Sequence, residues 1–175
     1  MTDRYTALVS KMLSGKLAIL DAGTSTELDR RGASMDSMTW SACASIQAFD
    51  LLVDTHQTFI DAGADIITVN GYASSRLVLE PARLSDKIDT INKKNIEAAF
   101  LARDRSGNSD VLVAGSVSHS LGFHSGESKP IERDVSPEQF ADAFDEMFLF
   151  YEEGGVDLVL LEMMSVPRRM SPLFE

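Results

Sequence analysis

The sequence predicts an α/β fold of the (β/α)₈ barrel type, with only about the first four β/α units present. Four apolar segments each end in a polar residue, helical patterns separate them, and the chain stops after the fourth unit. The segments are Leu17–Asp21, Asp65–Asn70, Val111–Ser116 and Asp157–Glu162. Strands that alternate with helices pair in parallel through right-handed crossovers. We therefore expect four parallel strands whose polar ends meet at one edge.

The first unit begins with a short apolar run. Leu17–Leu20 is continuous, which is typical of a strand buried on both faces, and Asp21-Ala22-Gly23 ends it. Residues 24–31 are predicted to form a short helix because Thr24 and Glu27 are spaced as in a capping box. Gly32 is its expected end.

Two longer helices follow from apolar residues spaced at i, i+3 and i+4. Their apolar faces are Phe49, Leu52, Val53, Phe59 and Ile60 in one helix, ended by Ala62-Gly63, and Ile88, Ile91, Ala98 and Ala102 in the other. His56 falls on the apolar face of the first of these helices. We expect a hydrogen-bonded core histidine there, because nothing nearby in sequence supplies a partner to orient a catalytic base.

The last helix has the clearest signals. Ser136 and Gln139 form a capping box, Pro137 occupies the first helical position, and Gly154-Gly155 ends the helix. Its apolar face is Phe140, Ala143, Phe144, Met147 and Tyr151. Residues 117–135 before it are predicted to be a long loop. We assign residues 1–164 to the half barrel and residues 165–175, which contain two prolines, to an irregular tail.

Composition narrows the function classes. A chain of 175 residues with 44% hydrophobic content suits one soluble domain. The net charge of −11 repels phosphate backbones and anionic membranes, so we expect no nucleic-acid or membrane partner. No leader or membrane-spanning pattern is present, which makes a cytoplasmic location the expectation. Cys43 is the only cysteine, so a cysteine-based zinc centre is not expected.

The strand ends supply the candidate site, because catalytic groups of barrel enzymes lie where strands end and βα loops begin. The candidates are Asp21, Asn70, Ser116 and Glu162. A carboxylate at Asp21 suits an ammonium group, and capping the following helix is the alternative. Glu162 follows an apolar strand, where a carboxylate is costly unless it meets a cation, a donor or water. Asn70, taken alone, is consistent with a simple turn.

Three further residues of potential interest share the third βα loop. His119, His124 and Glu127 lie within nine residues, which raises the hypothesis of a metal site. Their spacing matches no closed zinc pattern, so the pattern does not assign a metal or a role to the two histidines.

Four motifs in order resemble the homocysteine S-methyltransferase family. They are 20–28 (LDAGTSTEL), 62–67 (AGADII), 114–116 (AGS) and 155–162 (GVDLVLLE). The resemblance implies a barrel that transfers a methyl group from a small donor to the homocysteine thiol and gives methionine. It implies that Asp21 and Glu162 hold the substrate ammonium, with Ala22, Gly23, Asn70 and Ser116 as further substrate-binding residues.

The sequence departs from the family pattern in three places. The run Asn70-Gly71-Tyr72 lacks two hydroxyls that the family commonly has near the substrate, and the loop 116–119 replaces a more usual Gly-Ser-Ile-Gly-Pro. The family implies zinc, which activates the thiol, but its three cysteine ligands lie in a second half that this chain lacks. No catalytic or metal residue is therefore assigned here.

These departures leave alternatives open. A half barrel exposes strand edges, so we expect self-association through them. One alternative is a non-catalytic remnant or assembly module that pairs with itself or with a separate second half. Another is a different barrel enzyme that uses Asp21 and Glu162 as an acid/base pair without metal.

Overall fold

The computed structural model describes residues 3–122 and 131–174. In this part of the chain, helices pack against a small parallel sheet. The helices are α1 (Asp3–Leu13), α2 (Thr24–Arg30), α3 (Ala44–Gln47), α4 (Phe49–Asp61), α5 (Arg76–Leu79), α6 (Ile88–Ser106), α7 (Pro137–Gly154) and α8 (Pro167–Met170). The strands are β1 (Ile66–Thr68), β2 (Leu112–Val117) and β3 (Leu158–Leu161), and short 3₁₀ helices span Ser85–Lys87 and Ser171–Leu173.

The sheet has the parallel order β1-β2-β3. Ile66 of β1 lies opposite Leu112, and Ala114 of β2 lies opposite Leu158 of β3. β2 is buried along its whole length, with β1 and β3 paired on either side and α6 and α7 packed against it, whereas β3 is partly exposed. Three of the four predicted strands are therefore present, with the predicted parallel pairing.

The prediction of a first strand buried on both faces is wrong. The segment 17–20 makes a single bridge, between Leu20 and Ile66, and the carbonyl oxygen of Ile19 accepts bonds from Asp65 and Ile66. Leu17 is 82% exposed and Leu20 is 48% exposed. The segment contacts β1 on one side, and no described strand lies on its other side, so its apolar side chains remain in contact with solvent.

The predicted helices are present, with one change in how they begin. The capping box of α7 is confirmed, and α4 and α6 form where their apolar faces predict them. The capping box of α2 is wrong, because Gly23 occupies the cap position without a side-chain bond. The Glu27 carboxylate instead accepts bonds from Arg30 and Arg31.

The core lies between the sheet and the helices α4, α6 and α7. His56 is buried in it as predicted, but the hydrogen bond expected for this histidine is absent. Neither ring nitrogen has a partner among the described residues. Burial therefore lowers the His56 pKa from 6.5 to about 4, and the imidazole is neutral at pH 7.

One helix lies where none was predicted, and two residues of the predicted third loop lie outside the described residues. Helix α1 was not predicted, although Tyr5, Leu8, Val9 and Met12 recur at helical spacing; of its residues only Leu8 is buried. His124 and Glu127 lie outside the described residues. The predicted boundary at residue 164 stays a prediction; the segment beyond it contains α8, in which Arg169 is buried. Among the described residues, no helix combines the length and apolar character needed to cross a membrane.

Candidate substrate-binding site at the carboxyl ends of the strands

Asp21 lies at the carboxyl end of the first segment, directly after its bridge to β1. One carboxylate oxygen accepts the backbone N–H of Thr68 at 2.7 Å, and the other accepts the Thr68 hydroxyl at 2.8 Å. Burial raises the Asp21 pKa to about 6, and the charge of Glu162 adds to the rise, although the Thr68 bonds oppose it. Asp21 is therefore a fixed carboxylate that titrates close to neutral pH.

Glu162 follows β3 and meets the end of β2. Its backbone N–H donates to Val117 at 2.8 Å, and its carboxylate accepts a hydrogen bond from the Ser116 hydroxyl. Because Glu162 also acts electrostatically on Asp21, the two acids share one end of the sheet. The structure thus brings together three of the predicted residues: Asp21, Ser116 and Glu162.

Tyr151 of α7 packs against the carboxyl end of β2. Its hydroxyl donates to the carbonyl oxygen of Ser116 at 2.6 Å, and the side chain is almost fully buried. Burial raises the Tyr151 pKa, so the phenol stays protonated and keeps donating. A Cβ at Gly115 would lie 2.5 Å from the tyrosine ring, and one at Gly71 would collide with its hydroxyl. Both glycines are needed for close packing beneath the site.

Asn70 is used inside the protein rather than at its surface. Its Nδ2 donates to the carbonyl oxygen of Ser41 at 2.8 Å and to Asn95 at 3.2 Å, and its Oδ1 accepts the Ser41 hydroxyl at 2.8 Å. With 7% exposure, Asn70 fixes the loop that contains Ser41 against the end of β1. Its predicted contact with substrate stays a prediction.

Ala22 and Gly23 form an exposed turn beside Asp21. Their backbone N–H groups donate to no other described residue, and their predicted contact with substrate stays a prediction. Ala22 adds only a methyl group and Gly23 adds no side chain. A small anionic group could therefore approach the backbone closely.

Several residues near the site were missed by sequence reasoning. Thr68 and Tyr151 lie within a predicted strand and a predicted helix face, and no local pattern distinguishes them. Trp40 and Tyr72 flank the contact between Ser41 and Asn70, with ring centroids 6.0 Å apart. Trp40 has a positive φ of 54° and is 40% exposed. The only available signal was that Trp40 is the single tryptophan of the chain.

The zinc implied by the resemblance does not fit the described residues. Cys43 is buried, burial raises its pKa, and its nearest polar contact is the Thr39 hydroxyl at 4.0 Å. Within residues 3–122 and 131–174, no three His, Cys, Asp or Glu side chains are grouped closely enough to hold a metal ion. We therefore derive no step that passes through zinc in this chain.

Helices packed against a small parallel sheet, with acids at its carboxyl edge, define an α/β protein. A family model described as homocysteine S-methyltransferase matches residues 18–171. The chain belongs to the homocysteine S-methyltransferase family.

Named relatives agree with this assignment. Homocysteine S-methyltransferase 1 of Arabidopsis thaliana is 26% identical, and the matched region covers 96% of this chain and 56% of the Arabidopsis protein. Selenocysteine Se-methyltransferase of Brassica oleracea var. italica is 28% identical, covering 90% of this chain and 50% of its own. The chain spans about half the length of the curated relatives it matches.

Solved structures agree on the fold. The oxidized form of the homocysteine methyltransferase MmuM from Escherichia coli has a TM-score of 0.81 at 23% identity, covering 98% of this chain and 60% of its own. The metallated form has a TM-score of 0.77 at 22% identity, covering 98% of this chain and 61% of its own. At these identities the likeness is evidence for the fold alone.

Proposed function

We propose that this chain is the amino-acid-binding part of a homocysteine S-methyltransferase, built on the first four β/α units of the barrel. Asp21 and Glu162 would hold the ammonium group of homocysteine. The observation that carries the proposal is that both carboxylates are fixed by hydroxyl groups at one end of the sheet, while no cation among the described residues pairs with either.

An ammonium group suits this pair of carboxylates. It has three N–H donors and a full positive charge, so it can bond to both acids at once. It would also lower the Asp21 pKa, which burial raises to about 6. Binding near pH 6 should therefore release up to about half a proton per site, because Asp21 is about half protonated in the free protein at that pH.

The reaction itself needs more than these residues. The thiol sulfur of homocysteine forms a bond to the donor's methyl carbon, the bond from that carbon to the donor breaks, and the donor retains the electron pair. The thiol proton is lost to solvent. In this proposal Asp21 and Glu162 orient the substrate. The group that activates the thiol would come from chain outside the described residues.

The acceptor has a second candidate. Two of the relatives are named as selenocysteine methyltransferases. A selenol is the same kind of nucleophile as a thiol, and the ammonium group that Asp21 and Glu162 would hold is common to both amino acids. We therefore include selenocysteine beside homocysteine as an acceptor to test.

Calorimetric titration with L-homocysteine, with and without zinc, tests the proposal. We expect binding that is lost in Asp21→Ala and in Glu162→Ala but kept in Asp29→Ala, which removes an exposed acid of α2. Heat measured at pH 6 in two buffers of different ionisation enthalpy should show proton release. A folded chain that binds neither homocysteine nor selenocysteine would contradict the proposal.

The exposed apolar edges favour a second candidate, an assembly module. Leu17 and Ile19 are 82% and 51% exposed on one side of the sheet, and Leu161 and Met163 are 44% and 71% exposed on the other. Two such edges would be covered by a second half barrel or a second copy. Light scattering on the same samples gives the oligomeric mass, and a multimer without amino-acid binding would favour this function.

A further inference from the structure

The third βα loop is joined to the segment after β3 through His119. The Nε2 atom of His119 accepts the backbone N–H of Ser165 at 2.9 Å and that of Val166 at 3.2 Å. An imidazole that accepts at Nε2 carries its proton on Nδ1. Nδ1 is buried and has no hydrogen-bond partner among the described residues. The loop thus holds a buried N–H donor for which the described residues supply no acceptor.

Arg169 brings a positive charge to the same place. Its side chain is buried, with 7% exposure, although arginine is rarely buried unless it is paired. Among residues 3–122 and 131–174, no carboxylate lies within ion-pair distance of its guanidinium. Burial lowers the His119 pKa, and the positive charge of Arg169 lowers it further, so the two side chains are close enough to interact.

A buried cation beside a buried donor, with no acceptor in the part of the chain that the structure describes, favours an anionic ligand. A guanidinium has a planar fork of N–H groups that matches a carboxylate in two parallel hydrogen bonds. The Nδ1–H of His119 would add a third donor. We propose that His119 and Arg169 form a carboxylate-binding subsite at the rim of the candidate site.

The position of the pair links the subsite to the ammonium site. His119 follows Ser116 by three residues and Arg169 follows Glu162 by seven, so both continue from the strand ends that hold the ammonium site. This inference rests on the proposed function for the identity of its ligand. Homocysteine has a carboxylate, and so does a sulfonium amino acid that could donate the methyl group. The exposed N–H groups of Ala22 and Gly23 offer the acceptor's carboxylate another place to bind.

Titration of matched ligands tests the subsite and identifies the source of the carboxylate. The ligands are L-homocysteine, 3-aminopropane-1-thiol, which lacks the carboxylate, and S-methyl-L-methionine. The variants are Arg169→Met and Arg168→Met, the second removing the neighbouring exposed arginine. We expect Arg169→Met to bind at least one of the two amino acids at least tenfold more weakly. The aminothiol should bind equally to both variants and to the unchanged chain.

The amino acid that loses affinity in Arg169→Met is the one whose carboxylate occupies the subsite. An equal loss for the aminothiol would overturn the proposal, since it would show a structural role for Arg169. Unchanged binding of both amino acids would overturn it as well. His119→Gln is a second variant that keeps an acceptor near the Nε2 position but lacks the Nδ1–H. It should show the same selectivity with a smaller loss.

A separate measurement distinguishes failure of the subsite from failure of the proposed function. Propionate, a carboxylate without an ammonium group, should raise the melting temperature of the unchanged chain and of Arg168→Met, but not that of Arg169→Met. This result would support the subsite even if homocysteine failed to bind. No rise in the unchanged chain, or an equal rise in all three proteins, would contradict it.

Discussion

The acidic side chains at the two ends of the sheet differ in whether they are paired with a cation. At the amino ends of the strands, the Asp65 carboxylate accepts bonds from Lys11 at 2.6 Å and from the backbone of Ile19 at 2.8 Å. At the carboxyl ends, the Asp21 and Glu162 carboxylates are bonded to hydroxyl and backbone donors, with no cation paired to them in the described chain.

Asp157 at the start of β3 resembles Asp65. It accepts bonds from Arg103 at 3.3 Å and from the backbone of Val113 at 3.0 Å, and Arg4 lies 3.7 Å away. Arg4 and Lys11 both belong to α1, so this helix supplies a cation to each of the two acids at the amino ends of the strands. In barrels the amino-terminal face contributes stability and the carboxyl-terminal face binds ligands. Here the difference is one of charge pairing.

The largest change in the free energy of unfolding is expected when Asp157, at the amino end of β3, is replaced. Its side chain is 2% exposed and that of Arg103 is 11% exposed, so Asp157→Ala leaves a mostly buried guanidinium without its partner. We expect a loss of about 4 kcal/mol in the free energy of unfolding, measured by urea denaturation. Asp110→Ala, an exposed acid just before β2, is the control and should change it little. A loss below 1 kcal/mol in Asp157→Ala would contradict the role of the Asp157–Arg103 pair in stabilising the fold.

The next largest effect concerns His56, which lies between the two ends in the core. Its folded pKa of about 4 lies below the ordinary 6.5, so the folded protein resists protonation of His56. Its contribution to stability is full above pH 6.5 and falls by about 3 kcal/mol as the pH drops to 4. Because Asp21 titrates over the same range with the opposite sign, the change in unfolding free energy from pH 7.5 to pH 4 is compared between the two proteins, and His56→Leu should lose about 3 kcal/mol less than the unchanged chain. An equal loss in both proteins would exclude His56 as the cause.

At the carboxyl end, Asp21→Asn should stabilise the chain at neutral pH. The Asp21 pKa is raised from 3.8 to about 6, so the folded state favours the protonated form. Its contribution is fully present below pH 3.8 and is lost as the pH rises through 6. After allowing for one weakened hydrogen bond to Thr68, we expect a gain of about 1 to 2 kcal/mol at pH 8 and none at pH 4.

His56 titrates over the same range with the opposite sign. The variant must therefore be compared with the unchanged chain at each pH by denaturation. If Asp21→Asn were less stable than the unchanged chain at pH 8, the Asp21 carboxylate would stabilise the fold, as Asp65 and Asp157 do at the amino ends of the strands.

Asp65→Asn gives the smallest effect and completes the comparison. The Lys11 and Ile19 bonds lower the Asp65 pKa despite the opposing effect of burial. Its stabilisation is present above pH 3.8 and is lost as the pH falls further. Because both side chains are partly exposed, we expect a loss of about 1 kcal/mol at pH 7 by thermal or urea unfolding. A gain in stability, as expected for Asp21→Asn, would remove the distinction between the two ends.

Much of the fold could be predicted because its signals are local. The capping box at Ser136, the glycines after α4 and α7, and the apolar runs of β1 to β3 each lie within a few neighbouring residues. Helix α1 was missed although its apolar residues recur at helical spacing; what short segments do not show is that ion pairs to Asp65 and Asp157, 54 or more residues away, hold it in place. The exposure of Leu17 was missed because an apolar run predicts burial without showing what covers it.

The sequence by itself determined which residues lie at strand ends, because apolar runs, turns and parallel order are written in short segments of the chain. It therefore placed Asp21, Ser116 and Glu162 together. The tertiary structure decided what each acid meets. Thr68 is 47 residues from Asp21, and Glu162 is 46 residues from Ser116. Charge pairing depends on such distant contacts, and it separates the acids that meet a cation from Asp21 and Glu162, which meet only hydroxyl and backbone donors in the described chain.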